Sequence, residues 1–162
     1  MAIRLATLGS GSGGNATLVE GGGARVLIDA GFSCRRLVQR LRFVGLDPAA
    51  VDAILLTHEH GDHVAGAATF AASFGTPIYC TRGTAAAAGF TAGGLTPVIV
   101  RDGGTFAIAG MQVLPFAVPH DVSARIERTL RHSCSVIRVR GAGCNPLTPS
   151  GTGCMRPKPR AR

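Results

Sequence analysis

The chain has 162 residues, 46% hydrophobic and only 16% charged, with 23 glycines and a formal net charge of +8. That length suits about one domain with a real core. No apolar run approaches the roughly 20 residues of a membrane-spanning helix, and the start "MAIRLATLGSGSGG" is a poor signal peptide, so a cytoplasmic protein with no membrane partner is expected.

In chain order, residues 2–8 read as a strand and "GSGSGGN", 9–15, as a glycine loop. "ATLVE", "GGG" and "ARVLIDA" read as a hairpin, two apolar runs joined by a tight glycine turn. Ser33 is placed to cap a helix running to about Val44, with Leu37, Val38, Leu41 and Val44 on one face and Gly45 as its stop. "DAILLT" is a short buried strand, and "HVAGAATFAASFG" a small-residue helix closed by Gly75. "PIYC" is a strand and "RGTAAAAG" a short helix; "PVIV", "TFAIAG" and "MQVLPFAV" are strands separated by "RDGG" and Gly110. Strands come first and then mix with helices, so an α/β layered fold with a partly antiparallel sheet is expected. After Ala124 the pattern breaks, and "CSVIRVR" is the one plausible strand left.

The charge is unevenly placed. Residues 1–124 hold eight arginines and eight acids, while residues 125–162 hold nine basic residues and Glu127 alone. The five cysteines, Cys34, Cys80, Cys134, Cys144 and Cys154, include no C-x-x-C pair and form an odd count, which argues against a disulfide framework or a structural zinc site.

"GSGSGG" also fits the dinucleotide pattern G-x-G-x-x-G, with Asp29 further on. That fingerprint needs a helix at the third glycine to hold the pyrophosphate. Here "NATLVEGGG" turns back as a hairpin, so a turn is the better reading. Backbone N–H groups of this loop lining an active site are a third option.

The chemistry concentrates in "LLTHEHGDHVAG", 55–66, where His58, His60 and His63 share six positions with Glu59 and Asp62. Residues two apart on a helix point about 200° apart, so His58 and His60 belong on a turn after the strand, before a helix starting near Val64. Imidazole suits zinc, and Asp adds a harder oxygen. Two histidines plus an Asp–His pair exceed the needs of one tetrahedral ion, which points to two ions. Such a pair, about 3.5–4 Å apart, activates a water and stabilises a displacement at phosphorus or carbon.

"THEHGDHVAG" resembles the signature of the metallo-β-lactamase fold hydrolases. The loop "GSGSGGN", the strand end "VLIDAG" with Asp29, the helix after it and "FAVPHD" with His120 agree. The combination looks most like the exonuclease-like branch, over residues 1 to about 124. The resemblance implies an αββα sandwich of two sheets with helices outside. It implies that His58, His60 and His120 bind a first zinc, and that Asp62 and His63 bind a second, manganese being the substitute. Asp62 would also be the catalytic residue, orienting a metal-bound hydroxide that attacks. Asp29 would support the metal loop by hydrogen bonding. His132 lies outside any motif, and Glu59 reads as a loop residue.

The family pattern asks for more. It has a bridging Asp in a "TD-x-G" context and a final His in a second half, but no Asp follows Asp121 and the only later histidine is His132. Residues 1–124 therefore read as the first part of a truncated domain, and 125–162 as an irregular basic tail. That tail fits an aberrant, frameshift-like read-through better than a grip on nucleic-acid phosphates. The expected activity is metal-dependent phosphodiester hydrolysis, on nucleic acid. The alternatives are a thioester or lactam hydrolase of the same superfamily, a non-catalytic remnant with an incomplete metal site, and a nucleotide-binding module using the glycine loop. The oligomeric state is not legible in the sequence.

Overall fold

The computed structural model describes residues 2–118 and 134–141, the last stretch and residues 117–118 as backbone only. The first half forms β1 (Arg4–Gly9), β2 (Ala16–Gly21), β3 (Ala24–Ile28) and helix α1 (Cys34–Phe43). A 3-10 turn (Pro48–Ala50), β4 (Ala53–Leu55), short helix α2 (Gly61–Val64) and α3 (Ala67–Phe74) come next. Then come β5 (Ile78–Cys80), α4 (Arg82–Ala87), β6 (Val98–Ile99), β7 (Phe106–Ile108), β8 (Met111–Val118) and β9 (Cys134–Gly141).

Two sheets result. The first runs β1-β2-β3-β4-β5-β6, and the second runs β7-β8-β9. The β1/β2 and β2/β3 pairs are antiparallel, and β3 to β6 are parallel. The hairpin turn is Gly22–Gly23, at φ 65° and 86°, between the paired residues Gly21 and Ala24. Two successive positive φ values match the twist of the flanking strands and favour glycine.

Strand alternation sorts the core into two layers. Leu18, Leu27, Ile54 and Ile78 face the helices, where they pack with Leu37, Leu41 and Phe70. Their neighbours Val19, Val26, Leu55 and Tyr79 face the other way and meet Ile108, Met111 and Val113 of the second sheet. This period of two on a doubly covered sheet makes the strands nearly continuous apolar runs. The α/β sandwich expected from the sequence is therefore present as helices on one sheet and a second sheet behind it. "CSVIRVR" is also a strand, pairing with β8 from Met111↔Gly141 to Val118↔Cys134.

Three local expectations need correction, and one short turn was not foreseen. Ser33 sits at the N-cap of α1, but its hydroxyl makes no cap hydrogen bond. Val44 does not share the buried face of Leu37 and Leu41; it lies past the last turn and is 39% exposed. Gly45, at φ 80°, does end the helix, and the Leu46 N–H then reaches back to the Leu41 carbonyl. The helix expected from about residue 63 is two pieces, beginning at Gly61, so Asp62 and His63 lie on its first turn. The break has a cause: the Gly66 N–H goes to the Ala30 carbonyl at 2.8 Å, and a Cβ at Gly66 would collide with the Phe32 carbonyl. The 3-10 turn was missed, although "DPAA" carries its signal, an Asp cap and Pro at the first position. The Asp47 carboxylate accepts from the Ala49 N–H at 3.1 Å.

The glycine loop does not open a helix; β2 begins at Ala16, which removes the dinucleotide reading. Cys80 is buried, and burial pushes its thiol up to about 11. No helix among the described residues is long and apolar enough to cross a membrane.

Candidate metal centre

Parallel strands β3 and β4 end side by side, and their C-terminal ends carry the polar residues. This is the edge at which open α/β sheets present ligand sites. Asp29 comes directly after β3, with φ at 60°. Asp tolerates this left-handed conformation better than most side chains do. The turn is held by the Asp29 N–H bonding to the Leu55 carbonyl at 2.8 Å.

The Asp29 carboxylate organises the next strand's loop. It accepts from the Thr57 N–H at 2.9 Å and from the Thr57 hydroxyl at 2.9 and 3.0 Å. It also accepts from His63 Nδ1 at 2.8 Å. Asp29 is buried, and burial raises its pKa, opposed by the hydrogen bonds from Thr57 and His63. Thr57 has one hydroxyl hydrogen, already given to Asp29. Its oxygen therefore accepts from His58 Nδ1, 2.9 Å away. With Nδ1 protonated on both rings, Nε2 is the atom that carries the lone pair of each ring.

The third part of the arrangement is the glycine loop. The Asn15 N–H donates to the Asp62 carbonyl at 2.7 Å, and the Gly31 N–H to the Asn15 carbonyl at 2.9 Å. The Ala30 N–H donates to the His63 carbonyl at 2.7 Å. The Asn15 amide nitrogen donates to Asp62 Oδ2 at 2.9 Å and lies 3.1 Å from His63 Nε2. Those two acceptors are 3.6 Å apart. A single polar hydrogen-bearing group thus sits between an imidazole lone pair and a carboxylate oxygen, where a cation would also be stabilised.

The rings gather closely. The His58 centroid is 3.9 Å from that of His63 and 4.6 Å from that of His60. His58 is buried, Asp62 and His63 are half-buried, and His60 at the N-cap of α2 is exposed. The cluster is therefore backed by protein and open on one side. The structure brings together Asp29, His58, His60, Asp62 and His63. Glu59 lies in the loop. His120, Asp121 and His132 lie outside the described residues, β8 ending at Val118. Among the described residues no three side chains close on one metal position. The donor chemistry and fixed tautomers fit zinc or a similar ion, held by imidazole Nε2 and carboxylate oxygen.

A metallo-beta-lactamase superfamily model matches residues 9–139. The chain belongs to the metallo-beta-lactamase superfamily. That match extends past residue 124 and takes in most of β9. Among curated superfamily relatives, the chain is 35% identical over 82 residues to exodeoxyribonuclease WalJ of Streptococcus pneumoniae serotype 2, covering 51% of this chain and 30% of the relative. It is 29% identical over 126 residues to exodeoxyribonuclease YycJ of Bacillus anthracis, covering 76% of this chain and 48% of the relative. The chain thus spans less than half the length of these relatives. A subclass B3 metallo-beta-lactamase of Bradyrhizobium japonicum superposes with a TM-score of 0.65 at 16% identity, covering 83% of this chain and 53% of that one. This last likeness is one of fold.

The sequence reading missed Asn15, Gly31 and Thr57 as site residues. Asn15 closes the loop "GSGSGGN", and Thr57 opens "THEHGDH", so both lay inside the motifs. What the sequence does not show is which chain segments those motifs touch.

Proposed function

We propose that the chain is a metal-dependent hydrolase of phosphodiester bonds in nucleic acid. Zinc, or manganese in its place, would be held by His58 and His60 with His120, and by Asp62 and His63. The observation that supports this most is the Asp29–Thr57 network. It engages the Nδ1 atoms of two histidines, which makes Nε2 the coordinating atom of each ring, and His63 Nε2 lies 3.6 Å from Asp62 Oδ2. A purely structural histidine pair needs no such matched tautomers.

When bound, the metal supplies Lewis acidity and a water acidic enough to act near neutral pH. The remaining roles belong to the chain. Asp29 fixes the orientation of His63 directly and that of His58 through Thr57. Asp62 presents a half-buried carboxylate oxygen that orients the attacking oxygen and takes its proton. Asn15 donates a side-chain N–H to that carboxylate oxygen. Exposed His60 marks the side from which substrate enters.

Nucleic acid is favoured over a thioester or lactam because the sequence relatives are named exodeoxyribonucleases, while the lactamase likeness is one of fold. The hydrolase-like part is proposed to run past residue 124 to Gly141. The family match and the residue-by-residue pairing of β9 with β8 support that boundary.

The test is degradation of a labelled oligodeoxynucleotide by the full chain. Cleavage that stops with chelator, returns with zinc or manganese, and is lost in His60→Ala supports the reading. Cleavage indifferent to chelator, or turnover of a lactam or thioester with none of the oligonucleotide, overturns it.

A further inference from the structure

We propose that the groove between α1 and the outer strand β1 is a docking track for single-stranded nucleic acid leading to the metal loop. This rests on the phosphodiesterase reading above and names how that site would hold its polymer. The groove measures about 650 Å³ and is lined by Thr7, Leu8, Arg36, Arg40, Phe43 and others, none of them acidic.

Charge and shape choose the occupant. Helix α1, "CRRLVQRLRF", carries four arginines and no acid. The ion pairs among the described residues involve Arg4 and Arg25 with Glu20, and His63 with Asp29 and Asp62; none uses an arginine of α1. Arg36 is exposed, and Phe43, 92% exposed, lines the same groove about two helical turns further on. A guanidinium for phosphate next to an aromatic face for a base is the pairing that single-strand binders use.

The groove also connects to the site. Arg40 donates to the Leu8 carbonyl and lies 4.1 Å over the Phe32 ring. The same ring fills the space beside Gly9 and Gly14, where any Cβ would collide with it. Gly14 precedes Asn15, whose amide reaches Asp62 and His63. Groove wall, glycine loop and metal loop are thus linked by direct contacts, with the buried Phe32 ring beneath the step from groove to loop. A strand gripped at Arg36 and stacked on Phe43 would run along the loop toward the histidines.

The experiment uses the full chain and an iodouridine-bearing oligothymidylate of about twelve nucleotides, within the span of single-strand sites. Irradiation should crosslink Phe43. Phe43→Ala and Arg36→Glu should each weaken binding about tenfold, and Arg36→Glu should reduce the salt slope by about one phosphate. Both side chains are exposed, so the fold is not at stake. Hydrolysis of bis(p-nitrophenyl) phosphate, too short to reach the groove, should be unchanged in both variants. Crosslinks confined to residues 125–162, or unchanged affinity in both variants, overturn the track. So does self-association that Phe43→Ala abolishes, which would assign the face to a second copy. Failure of the hydrolase reading looks different: the unsubstituted chain shows no metal-dependent cleavage, whatever the groove binds.

Discussion

Gly31→Ala is expected to destabilise the fold by about 3 kcal/mol, the upper range for overpacking a filled site, and to abolish tight zinc binding with it. The reason is a three-way backbone contact. A Cβ at Gly31 would fall on the Asp62 carbonyl and crowd the Asn15 nitrogen. Those atoms bond to each other at 2.7 Å, and Gly31 itself donates to Asn15. Neither neighbour is the free end of a flexible side chain, so the strain cannot be relieved by a rotamer change. The clasp must open, and with it the register between the glycine loop and the first turn of α2. Thermal melts and zinc titration of the two chains measure this; a Gly31→Ala chain with unchanged melting and affinity would show that the clasp does not hold the loop.

Asp62→Ala is expected to do the opposite: leave the melt nearly unchanged and lower oligonucleotide cleavage by about 10²–10⁴-fold, the range for losing a positioned acid–base group. The structural bonds at this residue come to its backbone carbonyl, from the Asn15 N–H and side-chain amide. Its half-buried carboxylate touches Asn15 Nδ2 and lies near His63 Nε2. Removing the side chain therefore removes a ligand and an orienting group without cutting the clasp. Steady-state cleavage beside a thermal melt separates the two contributions. Equal loss of folding and cleavage would mean that the carboxylate serves stability.

The contrast between Gly31 and Asp62 shows what a sequence makes legible. Asp62 was readable because its type and spacing among three histidines state a chemistry. The strands were readable because apolar runs are punctuated by glycines, as at Gly22–Gly23. Gly31 carried no signal, since its necessity comes from a segment 31 positions away in the chain. The broken helix after His60 was hidden for the same reason. Its small residues suit continuous helix, and bonds from other segments interrupt it: Asn15 takes the Asp62 carbonyl, the Ala30 N–H takes the His63 carbonyl, and the Gly66 N–H goes to the Ala30 carbonyl. Asp29 was legible as a support for the loop. Its route to His58 through a single threonine hydroxyl was not, because that depends on where Thr57 points.

The most direct test of the account is to titrate zinc into the chelator-stripped full chain and monitor the histidine ring nitrogens by NMR, with His→Ala variants assigning the signals. Zinc is predicted to shift Nε2 of His58 and His63 while Nδ1 of both stays protonated on Thr57 and Asp29. Ring signals that ignore stoichiometric zinc, or zinc bound through Nδ1, would contradict the claim that the Asp29–Thr57 network prepares this loop for a metal.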